Sequence, residues 1–130
     1  MKTLDELGKD FGAFYPRGHM VVAFGDYQNA NIVLTTLRAQ GASFDDIIPI
    51  TPQVMIDFAE TNIAQAGVIA NLGTSLTTVQ TLLDAARTGS HFLVIPTPDD
   101  GVAATVTQAI ERVSHGLAQR YHLLAIEDVA

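Results

Sequence analysis

Four histidines, His19, His91, His115 and His122, are the side chains of this sequence best suited to metal binding or proton transfer near neutral pH. Three apolar runs carry or adjoin His19, His91 and His122: His19–Phe24, Phe92–Ile95 and Tyr121–Ile126. If these runs are neighbouring strands, with the second and third antiparallel to the first, then His91 and His122 flank Asp26 at one rim of a sheet. His19 would then lie at the opposite rim. Strands stand about 4.8 Å apart, so the two flanking strands are about 10 Å apart, and the two rings would meet only by leaning over the strand between them. Such a cluster could act as a weak divalent-metal or acid–base site. Each member also has an ordinary structural role, the histidines as solvent-facing strand ends and Asp26 as a helix N-cap. Tyr27, Gln28, Asn29 and Asn31 crowd the same helix start, where phenol and amide groups beside free backbone N–H groups could hold a small anion. The candidate ligand contacts are therefore Asp26, Tyr27, Asn29, His91 and His122, with no residue assigned as catalytic. His115 is expected on the wet face of the last helix.

The remaining polar residues offer less. Asp45-Asp46 and Asp99-Asp100 are sequence neighbours at turns or helix starts, where adjacent side chains diverge and make poor acid–base partners. Asp57 and Glu60 share a helix face and read as solvated surface. Gly25 stands alone, without the glycine spacing of a phosphate loop. Ser75 follows Gly73-Thr74 as a helix cap rather than a strand-to-helix nucleophile elbow. The absence of cysteine removes disulfides, thiolate metal sites and thiol nucleophiles. No cofactor is expected.

The elements that position these residues are well punctuated. His19–Phe24 has the length and β-branched content of a central strand buried on both faces. Asp26 caps a helix running to Gln40, with Ala30, Val33, Leu34 and Leu37 on one face and Gly41 at its end. Ile47–Ile50 is a strand that Pro49 confines to a sheet edge. Thr51-Pro52 opens a helical hairpin, residues 52–89, inserted between strands. Met55, Phe58, Ala59 and Asn62 share one face of its first helix; Leu76, Val79, Leu83 and Ala86 mark the second. Gly67 and Gly73 interrupt between them and Gly89 ends the unit. Phe92–Ile95 is a third strand. Asp99-Asp100 lead into a helix carrying Val102, Val106, Ala109, Ile110, Val113 and Leu117, and Tyr121–Ile126 is the last strand before an acidic tail. Residues 1–18 form a leader in which Leu4, Leu7 and Phe11 have helical spacing.

A chain of 130 residues with no linker or low-complexity stretch reads as one domain, 1–130. Its net charge of −7, with seven scattered basic residues, disfavours nucleic acid as a partner. No apolar run is long enough to span a bilayer, and the first residues are acidic rather than signal-like, so a cytoplasmic protein is expected. The order β-α-β, helical insert, β-α-β fits two α/β architectures. One is a ferredoxin-like two-layer sandwich, with a four-stranded antiparallel sheet in the order 4-1-3-2. The other is a small parallel, doubly wound sheet.

Val21-Val22-Ala23-Phe24-Gly25-Asp26, the helix end Leu37–Ala42, and Asp45-Asp46-Ile47 resemble the first half of the bacterial general-stress-protein domain, the heat- and low-temperature-induced group. Ala85–Gly89, Phe92–Ile95 and Pro98-Asp99-Asp100 resemble its second half. Related uncharacterised bacterial proteins begin near a Phe-Tyr-Pro-Arg-Gly-His stretch, here Phe14 to His19. The resemblance spans most of residues 14–128. It implies a ferredoxin-like, stress-associated protein, carries no catalytic signature, and departs at the polar–apolar hairpin Gln53–Arg87, where those domains often have a glycine-rich apolar one. The expectation is a non-enzymatic protein acting through self-association or by binding a partner or small ligand, as a homodimer paired through Tyr121–Ile126 or the hairpin. The alternative is a metal-dependent or acid–base enzyme using the strand-end histidines.

Overall fold

His19–Phe24 has no polar residue inside its ends, so the strand that it forms needs cover on both faces. A computed structural model, which describes residues 9–10, 13–14, 17–70, 74–122 and 125–130, supplies both covers. Its strands are β1 (Lys9–Asp10), β2 (Ala13–Phe14), β3 (His19–Phe24), β4 (Ile48–Ile50), β5 (His91–Pro96), β6 (Ala118–Tyr121) and β7 (Ile126–Asp128). Its helices are α1 (Tyr27–Arg38), α2 (Pro52–Ala70), α3 (Thr74–Arg87) and α4 (Asp100–Glu111). The protein is α+β. The main sheet has the order β4-β5-β3-β6-β7, and every neighbouring pair is antiparallel, which excludes the parallel doubly wound alternative.

Numbered as in the sequence reading, the first four of these strands stand in the expected order 4-1-3-2, with β7 added outside the fourth. The sheet is therefore five-stranded rather than four-stranded. Side-chain alternation splits it cleanly. Met20, Val22, Phe24, Leu93, Ile95 and Ala118 pack with buried residues of α1 and α4. Val21, Ala23, Ile48, Ile50, Phe92, Val94 and Tyr121 pack with Met55, Ala59, Val79, Leu82, Leu83 and Ala86 of the α2–α3 hairpin. The hairpin thus forms a third layer, where a two-layer sandwich was expected.

Local signals explain most boundaries. Asp26 Oδ1 accepts from Asn29 N and Asp99 Oδ1 from Val102 N, both at 2.8 Å, so each carboxylate takes up a free amide at a helix start. Thr51 Oγ1 accepts from Val54 N at 3.2 Å, one residue before the first-turn proline. Gly89 closes α3 with φ +97°; Gly89 N donates to Ala86 O at 2.9 Å and Ser90 N to Ala85 O at 3.2 Å. Pro49 does put its strand at an edge.

Three expectations need correction. Gly67 does not interrupt α2, which runs through it to Ala70; Gly73 lies outside the described residues. Lys9–Asp10 and Ala13–Phe14 pair as short antiparallel strands instead of continuing a leader helix, and β2 lies against α2 and α3. Leu4, Leu7 and Phe11 are outside the described residues. Finally, α4 stops at Glu111 and β6 begins at Ala118, three residues before the expected strand start. Gly116 N already donates to Ala23 O at 2.8 Å, so the ladder with β3 begins before the strand proper. No helix among the described residues is long and apolar enough to cross a membrane.

Candidate functional site

The register of β3 with its two neighbours decides which histidines meet. His91 pairs with Phe24, at the rim where β3 ends. On the other side of β3, Ala118 pairs with Val22, and Gly18 N donates to Tyr121 O at 2.9 Å. His122 therefore follows the end of β6, at the rim of His19. From strand rise and spacing, His91 and His122 are on the order of 20 Å apart. The expected grouping of His91, His122 and Asp26 does not form. Among the described residues, no three or more His, Cys, Asp and Glu side chains are grouped to hold a metal ion.

Asp26 and Asn29 share the rim of His91 but are engaged structurally. The Asp26 carboxylate occupies the start of α1, so a small anion there would meet a negative charge already in place. Asn29 Nδ2 donates to Ser114 O at 3.3 Å, tying α1 to the turn after α4. That turn also holds His115, which lies beyond α4 rather than on its wet face; its Nδ1 is 3.2 Å from Val113 O.

Tyr27 and His91 are brought together. Their ring centroids are 5.8 Å apart with an interplanar angle of 66°, an edge-to-face contact. They stand at a cleft of about 250 Å³ between the first half of α1 and the β4–β5 edge. Ala30, Leu34, Pro49 and Leu93 contribute its apolar walls, and Asn31 and Thr51 add polar groups. The cleft exists because Pro49 lies exposed at the edge, on the face that α1 covers further in. Tyr27 is 62% exposed, so its ring is held over the opening instead of being packed into the core.

A larger open trough of about 710 Å³ runs between α4 and the β6–β7 hairpin. Charged groups line it, several already paired. Arg120 Nη1 donates to Asp100 Oδ1 at 2.8 Å and its Nη2 to Thr97 O at 3.3 Å, with the Arg120 side chain 11% exposed. The hydrogen bond from Arg120, and then its charge, hold the Asp100 carboxyl below its ordinary pKa; the charge of His122 adds a smaller effect in the same direction, against a small opposing effect of burial. His122 Nε2 lies 2.8 Å from Glu127 Oε1. In contrast to the cleft, this trough presents paired charges and little enclosure.

Of the five sequence candidates, Tyr27 and His91 line the cleft, Asp26 and Asn29 lie at the same rim of the sheet without lining it, and His122 belongs to the trough. Sequence reasoning missed Leu34, Pro49 and Thr51 as lining, because each had a structural explanation: a core face, an edge strand and a helix cap. The signal available was the bare edge that Pro49 implies. Comparison with protein-family models, with curated proteins and with solved structures gave no match.

Proposed function

We propose that this chain is a non-enzymatic binding module that holds a small, largely apolar ring compound in the cleft between α1 and the β4–β5 edge. The observation that carries this reading is the edge-to-face pair of Tyr27 and His91 at the mouth of an apolar cavity. Apolar walls gain from releasing water at about 25 cal/mol per Å² buried. Aromatic edges favour a ring presented at an angle to them. Drug-sized ligands fill roughly 300–1,000 Å³, so a cleft of about 250 Å³ restricts the ligand to one or two rings. Asn31, Thr51 and the His91 ring nitrogens can address one polar substituent. The Tyr27–His91 contact is ring against ring, not a proton-transfer geometry, which argues for binding over acid–base catalysis.

In this reading the frame is ferredoxin-like: β3-α1-β4 and β5-α4-β6 are its two halves, supported by the 4-1-3-2 order and by α1 and α4 sharing a face. The hairpin is an added layer. The resemblance to the stress-protein domain rests on the same two halves and places a stress-associated role within the proposal.

The test is a titration of ¹⁵N-labelled protein with indole, followed by amide shifts, on wild type and Leu34→Trp. Shifts at Ala30, Asn31, Leu34 and His91 that disappear when Trp fills the cleft, with melting temperature retained, are expected. No movement of these amides at millimolar indole would overturn the reading.

A further inference from the structure

Among the described residues the main sheet has two open edges, and they are protected differently. β4 carries Pro49 at its centre, which supplies no N–H and breaks the row of donors that another strand would need. β7 carries no proline. The β6–β7 ladder pairs Gln119 with Asp128, Arg120 with Glu127 and Tyr121 with Ile126. Beyond its ends, Val129 N donates to Ala118 O at 3.0 Å and His122 N donates to Ala125 O at 2.8 Å. Hydrogen-bonded and non-bonded pairs alternate along an antiparallel ladder. The bonded pairs are therefore 118 with 129, 120 with 127, and 122 with 125. Glu127 uses its backbone groups on β6, while the N–H and C=O groups of Ile126 and Asp128 point outward along the open edge.

We propose that the β7 edge accepts an extended segment of a different protein carrying Lys or Arg opposite Glu127, and rejects a second copy of itself. Two copies pairing over all three residues about a two-fold axis would set Ile126 against Asp128 and Glu127 against Glu127. That central pair would be non-bonded, with Cα atoms about 4.5 Å apart, and like charges so placed oppose pairing. A basic residue in the same position meets the opposite charge. Glu127 is exposed on the α4 side of the sheet, and its contact with His122 uses Oε1; Oε2 has no hydrogen-bond partner among the described residues. The neighbouring trough adds the carboxylates of Asp100, Glu111 and Asp128 against Arg120 and His122, so its charge favours the same partner. The backbone edge supplies the pairing and the charge selects what pairs, as in strand addition to a sheet edge.

The single edge strand expected over Tyr121–Ile126 is divided: Tyr121 belongs to β6, which is paired on both sides, and Ile126 begins β7 at the sheet edge. Leu123 and Leu124 lie outside the described residues.

The test uses two pentapeptides, acetyl-TVKVT-amide and acetyl-TVEVT-amide, titrated into the full ¹⁵N-labelled chain, with amide hydrogen exchange as a second readout. The lysine peptide is expected to shift the Ile126 and Asp128 amides, slow their exchange, and bind at least about fivefold tighter than the glutamate peptide, a preference that Glu127→Lys inverts. Equal binding of the two peptides overturns the proposal. So does an absence of protection at Ile126 and Asp128 at millimolar peptide, or a wild-type dimer whose concentration-dependent shifts centre on these two amides. The Glu127→Lys variant should still take indole in the cleft, so failure here is separable from failure of the ligand reading.

Discussion

Leu82→Ala tests whether the α2–α3 hairpin is a true third layer. Leu82 lies on α3, is 1% exposed, and belongs to the cluster that joins the hairpin to Val21, Ile48, Phe92 and Val94 of the sheet. The substitution removes three carbons, about 2.4 kcal/mol at roughly 0.8 kcal/mol per buried CH₂ group. The cavity left behind adds to this, since well-packed sites relax incompletely, giving about 3–4 kcal/mol in all. For 130 residues at about 2.1 cal/mol/K of unfolding entropy each, 1 kcal/mol corresponds to roughly 4 °C. The melting temperature should therefore fall by about 12 °C or more, with a lower urea midpoint and an unchanged m-value. Val54→Ala is the control, because Val54 is on the same hairpin but 49% exposed; it should cost under about 0.5 kcal/mol. If the two variants melt within 2–3 °C of each other, the hairpin is not packed on the sheet, and the three-layer description fails with it.

Two further outcomes follow from single contacts. The Asp100 carboxyl is held low by Arg120, so its stabilising effect is complete above the unfolded carboxylate value near 3.9 and is lost as pH falls through the folded one. Asp100→Asn should flatten the acid limb of stability against pH, measured by urea melts at stepped pH; limbs of equal slope in both proteins would refute the coupling. Pro49→Thr returns an N–H to the β4 edge and should produce concentration-dependent association in sedimentation velocity. An unchanged sedimentation profile would mean that the proline is not what keeps that edge closed.

The sequence made most of this fold legible wherever an element had a marker at its ends. Asp26, Thr51-Pro52, Asp99 and Gly89 identify helix boundaries through specific hydrogen bonds or a left-handed φ. Pro49 identified an edge strand by chemistry alone. The two continuous apolar strands also contained the argument for a third layer. Val21 and Val22 point to opposite faces and are both fully buried, so a two-layer sandwich would leave one of them bare. The hairpin was the available cover, but nothing local in Met55–Ala86 says which face of a distant sheet it will meet. β7 was hidden for a similar reason: Ile126-Glu127-Asp128 is too short and too acidic to read as a strand, and it forms because β6 turns back on it.

The error that mattered for the site came from the one long element without a stop signal. Val113 and Leu117 continue the apolar spacing of α4, so periodicity alone predicts a helix that runs past Glu111 and a last strand that begins three residues late. An odd slip exchanges the faces of a strand. Here the pairing with β3 differs by about five residues from the expected one, which puts His122 at the rim of His19 instead of the rim of Asp26. His91 was immune to this error, because Gly89 closes α3 two residues before it and sets where β5 begins. Tyr27 was immune for the same reason, one residue after the Asp26 cap. The residues that meet in the cleft are thus the ones anchored by nearby conformational markers. His122, with no capping residue, glycine or proline between it and Gly116 in the sequence, belongs to another surface. A His91–His122 metal centre would require β6 to slide by about six residues along β3, from His122 level with Gly18 to His122 level with Phe24. That slide would break the bonds joining Ala23 to Gly116 and Leu117, and would carry buried Ala118 and Tyr121 out of their clusters.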